Sequence, residues 1–228
     1  MNDLNETGAS ADDMVLLISS KNYSSWSLRG WMLARLSGRR FQERQVDPND
    51  PAVRNELLLR ASSIRIPCLV HDGVQIWDTL AIAEYLNELC PDAHMFPHER
   101  MARARCRSIS GEMHSGFEAL RSTLPMNLRM RRPNFPLWSA VRADIARIEE
   151  IWRECLSTWG GPWLFGRERC VADVMYAPVV TRFLSYDVKL DAQCAAYCER
   201  TMAQADMVEW AEAAAAEVEE FTELEIEF

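Results

Sequence analysis

The chain has 228 residues, and its 25 Lys and Arg stand against 34 Asp and Glu, for a formal net charge of -9. That length suits one large or two small domains. A hydrophobic content of 48% excludes a disordered or collagen-like chain, and the acidic balance argues against nucleic-acid binding, which needs a basic face. The charge is unevenly placed: after Arg200 come nine acidic residues and no Lys or Arg, so residues 1–200 are neutral. The end of the chain therefore reads as a solvated acidic helix and tail. No apolar run approaches the roughly 20 residues of a membrane helix, and the segment before MVLLIS lacks the positive start of a signal peptide, so no membrane association and a cytoplasmic location are expected. Seven scattered cysteines without a CxxC read as reduced thiols. His71, His94, His98 and His114 fall in no metal-binding spacing, so no metal is expected.

Residues 1–13 are polar and are expected to be disordered. MVLLIS at 14–19 reads as a buried strand, and Leu28, Trp31, Met32 and Leu36 mark a helix over 26–36 that stops at Gly38. Residues 41–46 alternate as a second strand, and 51–60 suit a short helix begun by Pro51. Two further strands, 66–70 and 74–77, flank His71-Asp72-Gly73, a hairpin signal. Asp78 or Thr79 then caps a helix that ends before Pro91. The order β-α-β-α-β-β-α implies a four-stranded mixed sheet over 14–90. Residues 91–98 serve as a linker. Helical periodicity dominates 99–228, over 101–128, 137–159, 171–184 and beyond 193. The fold class is therefore α/β plus all-α.

A proline opening the third strand of such a unit is the thioredoxin-like arrangement, and Ile66-Pro67 reads as a cis bond that turns the Ile66 backbone outward. The segments SSWSLR at 24–29, IPCL at 66–69 and IWDTLAIAEYL at 76–86, with WLFG at 163–166 followed by Ala172-Asp173, together resemble the cytosolic glutathione S-transferases. The serine-rich first turn is most similar to the serine-type branches, the zeta class among them. The resemblance implies glutathione as co-substrate, a thiol activated by a hydroxyl in that turn, a small electrophile as second substrate and a homodimer. Ser25 is the first candidate for that hydroxyl, with Ser24 beside it; Tyr23 fits the position less well. No cysteine lies in the turn, which argues against the branches that act by mixed disulfide.

The chemistry suits these residues. A free thiol near pKa 8.5 is mostly protonated at neutral pH. One hydroxyl hydrogen bond and a helix N-terminus both favour the thiolate. By resemblance, Asp78 and Thr79 meet the γ-glutamyl group, Ile66 and Pro67 pair with the peptide backbone, and Arg65 reaches the glycyl carboxylate. The family usually has Ser-Pro-x-Gly-Lys here; this chain has Ala61-Ser62-Ser63-Ile64-Arg65, so the loop departs from the pattern. Cys170 replaces the usual Ser or Thr before Asp173, which keeps a structural role at its helix start. Trp26, Met113, His114 and Phe117 are expected to line the electrophile pocket, and Arg129, Arg131 and Arg132 to lie in a solvated loop, with attraction of an anionic substrate as the alternative. An isomerase of the maleylacetoacetate type, a dehalogenase or ether-cleaving enzyme and a non-catalytic binding protein remain open beside the transferase.

Overall fold

Alternate burial of MVLLI makes β1 (Met14–Ile18) the central strand, with Met14, Leu16 and Ile18 sealed from solvent. The computed structural model describes residues 14–46, 51 and 66–218. β1 pairs in parallel with β2 (Phe41–Gln45) and antiparallel with β3 (Cys68–His71), which pairs antiparallel with β4 (Val74–Ile76). The sheet order is β2-β1-β3-β4, the thioredoxin-like arrangement. Asp72 and Gly73 both have positive φ, 50° and 75°, as a two-residue hairpin of primed type requires. The segment read as a helix at 51–60, the first 13 residues and Arg65 lie outside the described residues, Pro51 excepted.

α1 (Ser25–Leu36) begins where Ser24 accepts from the Ser27 N–H, and α2 (Thr79–Leu89) begins where Asp78 accepts from Leu80 and Ala81. After a single 3-10 turn, Pro91–Ala93, the remaining named elements of the described chain are helices joined by loops. The helices are α3 (Arg100–Ser115), α4 (Glu118–Thr123), α5 (Ser139–Trp159), α6 (Val171–Ser185), α7 (Ala192–Met202) and α8 (Ala205–Ala216). The run read as one helix over 101–128 is thus broken. A side chain at Gly116 would press within 2.7 Å of the Glu112 carbonyl, and Phe117 takes a left-handed φ of 57°.

The helical core forms around α6. Trp152 of α5 packs its ring against Tyr176, Phe183 and Tyr197. Asp173 sits buried at the start of α6 and accepts from the N–H groups of Cys170 (2.8 Å) and Leu164 (3.1 Å) and from the Tyr197 hydroxyl (3.1 Å). Burial still pushes its carboxyl up, outweighing these bonds. Its role is structural, as its place in the sequence suggested.

The end of the chain corrects its reading. α8 is docked, not solvated: Trp210 is fully buried with its ring 5.3 Å from Trp31. Asp206 pairs with Arg169 and with Arg35, and Glu209 pairs with Arg35 at 2.9 Å. Among the described residues, no helix is long and apolar enough to cross a membrane.

The Ile66–Pro67 bond is cis. Gly30 lets α1 lie directly on Pro67: an added Cβ would stand 2.5 Å from the Pro67 Cβ. Gly30→Ala gains up to about 1 kcal/mol of helix propensity, so a net loss isolates the clash. The expected result is a loss of about 2 kcal/mol in chemical denaturation, with Pro67 displaced; a variant as stable as wild type would refute the close packing.

Candidate functional site

The turn that joins β1 to α1 is held by its own polar groups. The Ser19 N–H donates to the Ser27 hydroxyl (2.9 Å), Tyr23 N–H to the Ser20 hydroxyl (3.2 Å) and Ser24 N–H to the Ser20 carbonyl (3.0 Å). Ser24 is 2% exposed and uses its oxygen to cap α1. Ser25 is in the first helical turn and 8% exposed. The leading N–H groups of such a turn lack helical partners and favour negative charge.

One residue further, the Trp26 ring is surrounded. His114 of α3 lies 5.1 Å from it, and the guanidinium groups of Arg29 and Arg121 lie at 4.6 and 4.9 Å. His114 Nε2 meets Asp78 Oδ2 at 3.0 Å, while Asp78 Oδ1 accepts from the Leu80 N–H at 2.9 Å. The start of α1, the start of α2 and the end of α3 thus meet around Ser25, Trp26, Asp78 and His114.

Other expected residues fall elsewhere. Met113 and Phe117 belong to the core instead of an open wall. The physical reason is the inner stripe of α3, where Ala102, Cys106, Ile109 and Met113 recur at helical spacing and face inward. Thr79 is wholly buried, and its hydroxyl has no partner among the described residues. Ile66 is half-buried beside the buried Pro67. Arg129 is not a solvated loop residue: it donates to the Tyr23 hydroxyl at 3.1 Å and to the Glu217 carbonyl at 2.7 Å. The Tyr23 hydroxyl is therefore engaged away from the start of α1.

Sequence reasoning missed the cations behind Trp26. Arg29 is buried, donating from Nε to the Met175 carbonyl (2.8 Å) and from Nη1 to the Ser25 carbonyl (3.3 Å), with Nη2 unpaired among the described residues. Arg182, also buried, donates to the Leu124 and Pro178 carbonyls. Burial, and then the repulsion of the neighbouring arginines, pushes both groups down, Arg182 to about 9. Arg121 is likewise pushed down by burial, with Glu118 pulling the other way. Among the described residues no carboxylate bonds to any of the three. The signal in the sequence was Arg182 itself, a cation inside the apolar run of α6.

A family model described as the N-terminal domain of glutathione S-transferases matches residues 23–89. A probable maleylacetoacetate isomerase from Caenorhabditis elegans is 30% identical over 157 residues, 68% of this chain and 72% of that protein. The chain belongs to the glutathione S-transferase family. A maleylacetoacetate isomerase from Rattus norvegicus is 31% identical over 128 residues, 55% of this chain. The matched region spans 57% of the length of the rat and mouse relatives. Among solved structures, a glutathione transferase homologue from Burkholderia with bound glutathione matches with a TM-score of 0.67 and 22% identity. That match covers 90% of this chain and all of the other. A maleylacetoacetate isomerase from Anaeromyxobacter dehalogenans matches with a TM-score of 0.64 at 22% identity, over 87% and 90%. At these identities the structural matches establish the fold of the family: a thioredoxin-like sheet unit followed by helices.

Proposed function

We propose that residues 14–90 bind glutathione and activate its thiol with a serine hydroxyl, for attack on a small electrophile held against residues 99–228. The observation that carries this is Ser25. Its hydroxyl stands in the first turn of α1, has no hydrogen-bond partner among the described residues and adjoins a helix end that favours anions. Ser24 is the second choice, because its oxygen already caps the helix. Lowering a thiol by two pKa units takes about 2.7 kcal/mol, which one hydrogen bond to a charged sulfur plus a helix end supplies.

The remaining contacts follow the peptide. Asp78, half exposed at the start of α2, suits the γ-glutamyl ammonium, and the free N–H groups of α2 suit its carboxylate. Thr79 serves this site from the inner side, since it has no exposed surface. The Ile66 backbone beside Pro67 pairs with the peptide, and Arg65 takes the glycyl carboxylate.

The arginines narrow the electrophile. Arg29, Arg121 and Arg182 repel one another without a bonded carboxylate, so a carboxylate on the substrate relieves them. An unsaturated acid fits. Glutathione supplies a thiolate that adds to the alkene and is expelled after rotation about the resulting single bond. This is the isomerase reading, and the relatives named maleylacetoacetate isomerase support it. The Asp78–His114 pair keeps His114 beside Trp26, where it orients the acid. We also propose a cytoplasmic location, which suits seven free thiols, and a homodimer. Val74 and Trp77, 60% and 44% exposed on the hairpin, support association through that face.

Three measurements check these assignments. Calorimetry with glutathione is paired with thiolate absorbance. Ser25→Ala, which leaves the helix end in place, is expected to raise the bound thiol by about 1.5 pKa units, so neutral-pH activity falls about thirtyfold and recovers as pH rises. Ser24→Ala should mainly cost about 1 kcal/mol of stability. The opposite result would move the role to Ser24; tight binding with no thiolate would support a non-catalytic binder, and no binding ends the glutathione reading. Maleate should raise the thermal midpoint of wild type but not of Arg121→Leu; no rise in wild type rejects an acidic electrophile. Sedimentation should give twice the chain mass, falling to one with Trp77→Glu.

A further inference from the structure

The turn that carries Ser24 and Ser25 is closed from the far end of the chain. Glu217, just after α8, is half-buried against it. Its Oε1 accepts from the Lys21 N–H at 2.6 Å and from the Gln45 side-chain amide at 3.0 Å. Its Oε2 accepts from the Ser20 hydroxyl at 2.7 Å and from the Asn22 N–H at 3.0 Å. Two successive backbone N–H groups aimed at one point form a concavity that favours an anion, and here the chain fills it with its own carboxylate.

The clasp has further parts. Trp210 Nε1 donates to the Lys21 carbonyl at 2.9 Å, so both backbone groups of Lys21 are held by the C-terminal segment. Arg129 joins the Glu217 carbonyl to the Tyr23 hydroxyl. The Asn22 side-chain oxygen accepts from the Leu128 and Arg129 N–H groups. The Ser20 hydroxyl has a single hydrogen, which goes to Glu217; its lone pair is thereby left for the Tyr23 N–H. One carboxylate thus holds the backbone N–H groups of Lys21 and Asn22, in the turn that leads to Ser24.

We propose that Glu217 is a positioning residue for the serine turn: its carboxylate sets the direction of the activating hydroxyl and hence the acidity of the bound thiol. This rests on the glutathione reading above and adds a residue that the turn's own sequence does not contain. Only a carboxylate suits the place. A glutamine has one acceptor oxygen, and its NH2 would face the donors of the turn.

The test compares wild type, Glu217→Gln, Glu217→Ala and a chain ending at Val218, which keeps Glu217 and loses the rest of the acidic tail. Three quantities are read: hydrogen exchange at the Lys21 and Asn22 amides, thiolate titration of bound glutathione, and global unfolding. Glu217→Gln is expected to speed exchange at both amides about tenfold, the change of one lost hydrogen bond. It should also raise the bound thiol by about one pKa unit, with the kcat loss at neutral pH recovered at higher pH and KM moved less. The chain ending at Val218 should match wild type in all three. In a Ser25→Ala background the effect of Glu217→Gln on the thiol should shrink, as expected of coupled residues. Faster amides with an unchanged thiol would overturn the proposal and leave a structural clasp; unchanged amides would overturn the clasp too. Loss of the thiolate signal in wild type itself marks failure of the glutathione reading instead. If Glu217→Ala does not fold, the nearly isosteric Glu217→Gln carries the comparison.

Discussion

A guanidinium buried in a low-dielectric interior is tolerated only where its donors find acceptors. Arg29 meets that condition in part, with backbone carbonyls alone: Nε and Nη1 find Met175 on α6 and Ser25 on its own helix, while Nη2 has no acceptor among the described residues. The bond to Met175 ties the helix that follows the first strand to the most buried helix of the second half. α1 is consequently enclosed on nearly every side, by the sheet, by Pro67 under Gly30, by α6 and by α8. An enclosed helix has little freedom to shift, so its first turn is presented at a fixed place. The serines there are a stable feature because the arginine four residues on is locked.

The same enclosure explains why the turn before α1 needs partners from afar. Its N–H groups cannot all turn to water, and the local sequence offers Ser20 and Ser27 for some of them. The remainder are met by Glu217, 195 residues or more away in sequence from Lys21 and Asn22. The fold thus brings together three stretches that share no sequence pattern: the turn, the segment at Asn127–Arg129, and the end of α8. Helix caps and hairpins are local solutions of the same accounting; this clasp is the long-range one.

That difference decides what was legible in the sequence. The Asp72-Gly73 hairpin, a helix cap at Asp78 or Thr79 and the buried apolar strand β1 depend on residues within a few positions of one another, and each was readable. The division at Gly116 depends on a single missing side chain within otherwise continuous helical periodicity, so one helix was expected where two exist. Met113 and Phe117 show the ambiguity of spacing: a stripe facing a pocket and a stripe facing α6 look alike until the neighbour is known. His114 and Trp26 differ from them in the structure by their polar and cationic partners, Asp78 for one and the arginines for the other, which spacing alone does not reveal. Glu217 was lost among nine similar acids, with nothing local to single it out.

Charge shows the limit of totals most clearly. The net value of -9 gives no hint that three arginines lie close enough to repel one another inside the molecule. Nor does the block of acids after Arg200 behave as a block, since Asp206 and Glu209 neutralise Arg35 and Arg169 while Glu217 fills the turn beside α1. These three C-terminal acids are thereby committed elsewhere, and none of them is bonded to Arg29, Arg121 or Arg182. A buried cation cluster without a bonded carboxylate is held at a cost that a nearby anion would lessen. On the isomerase reading proposed above, selectivity for an acidic electrophile would rest on where the chain's own carboxylates are held, as much as on where its arginines lie.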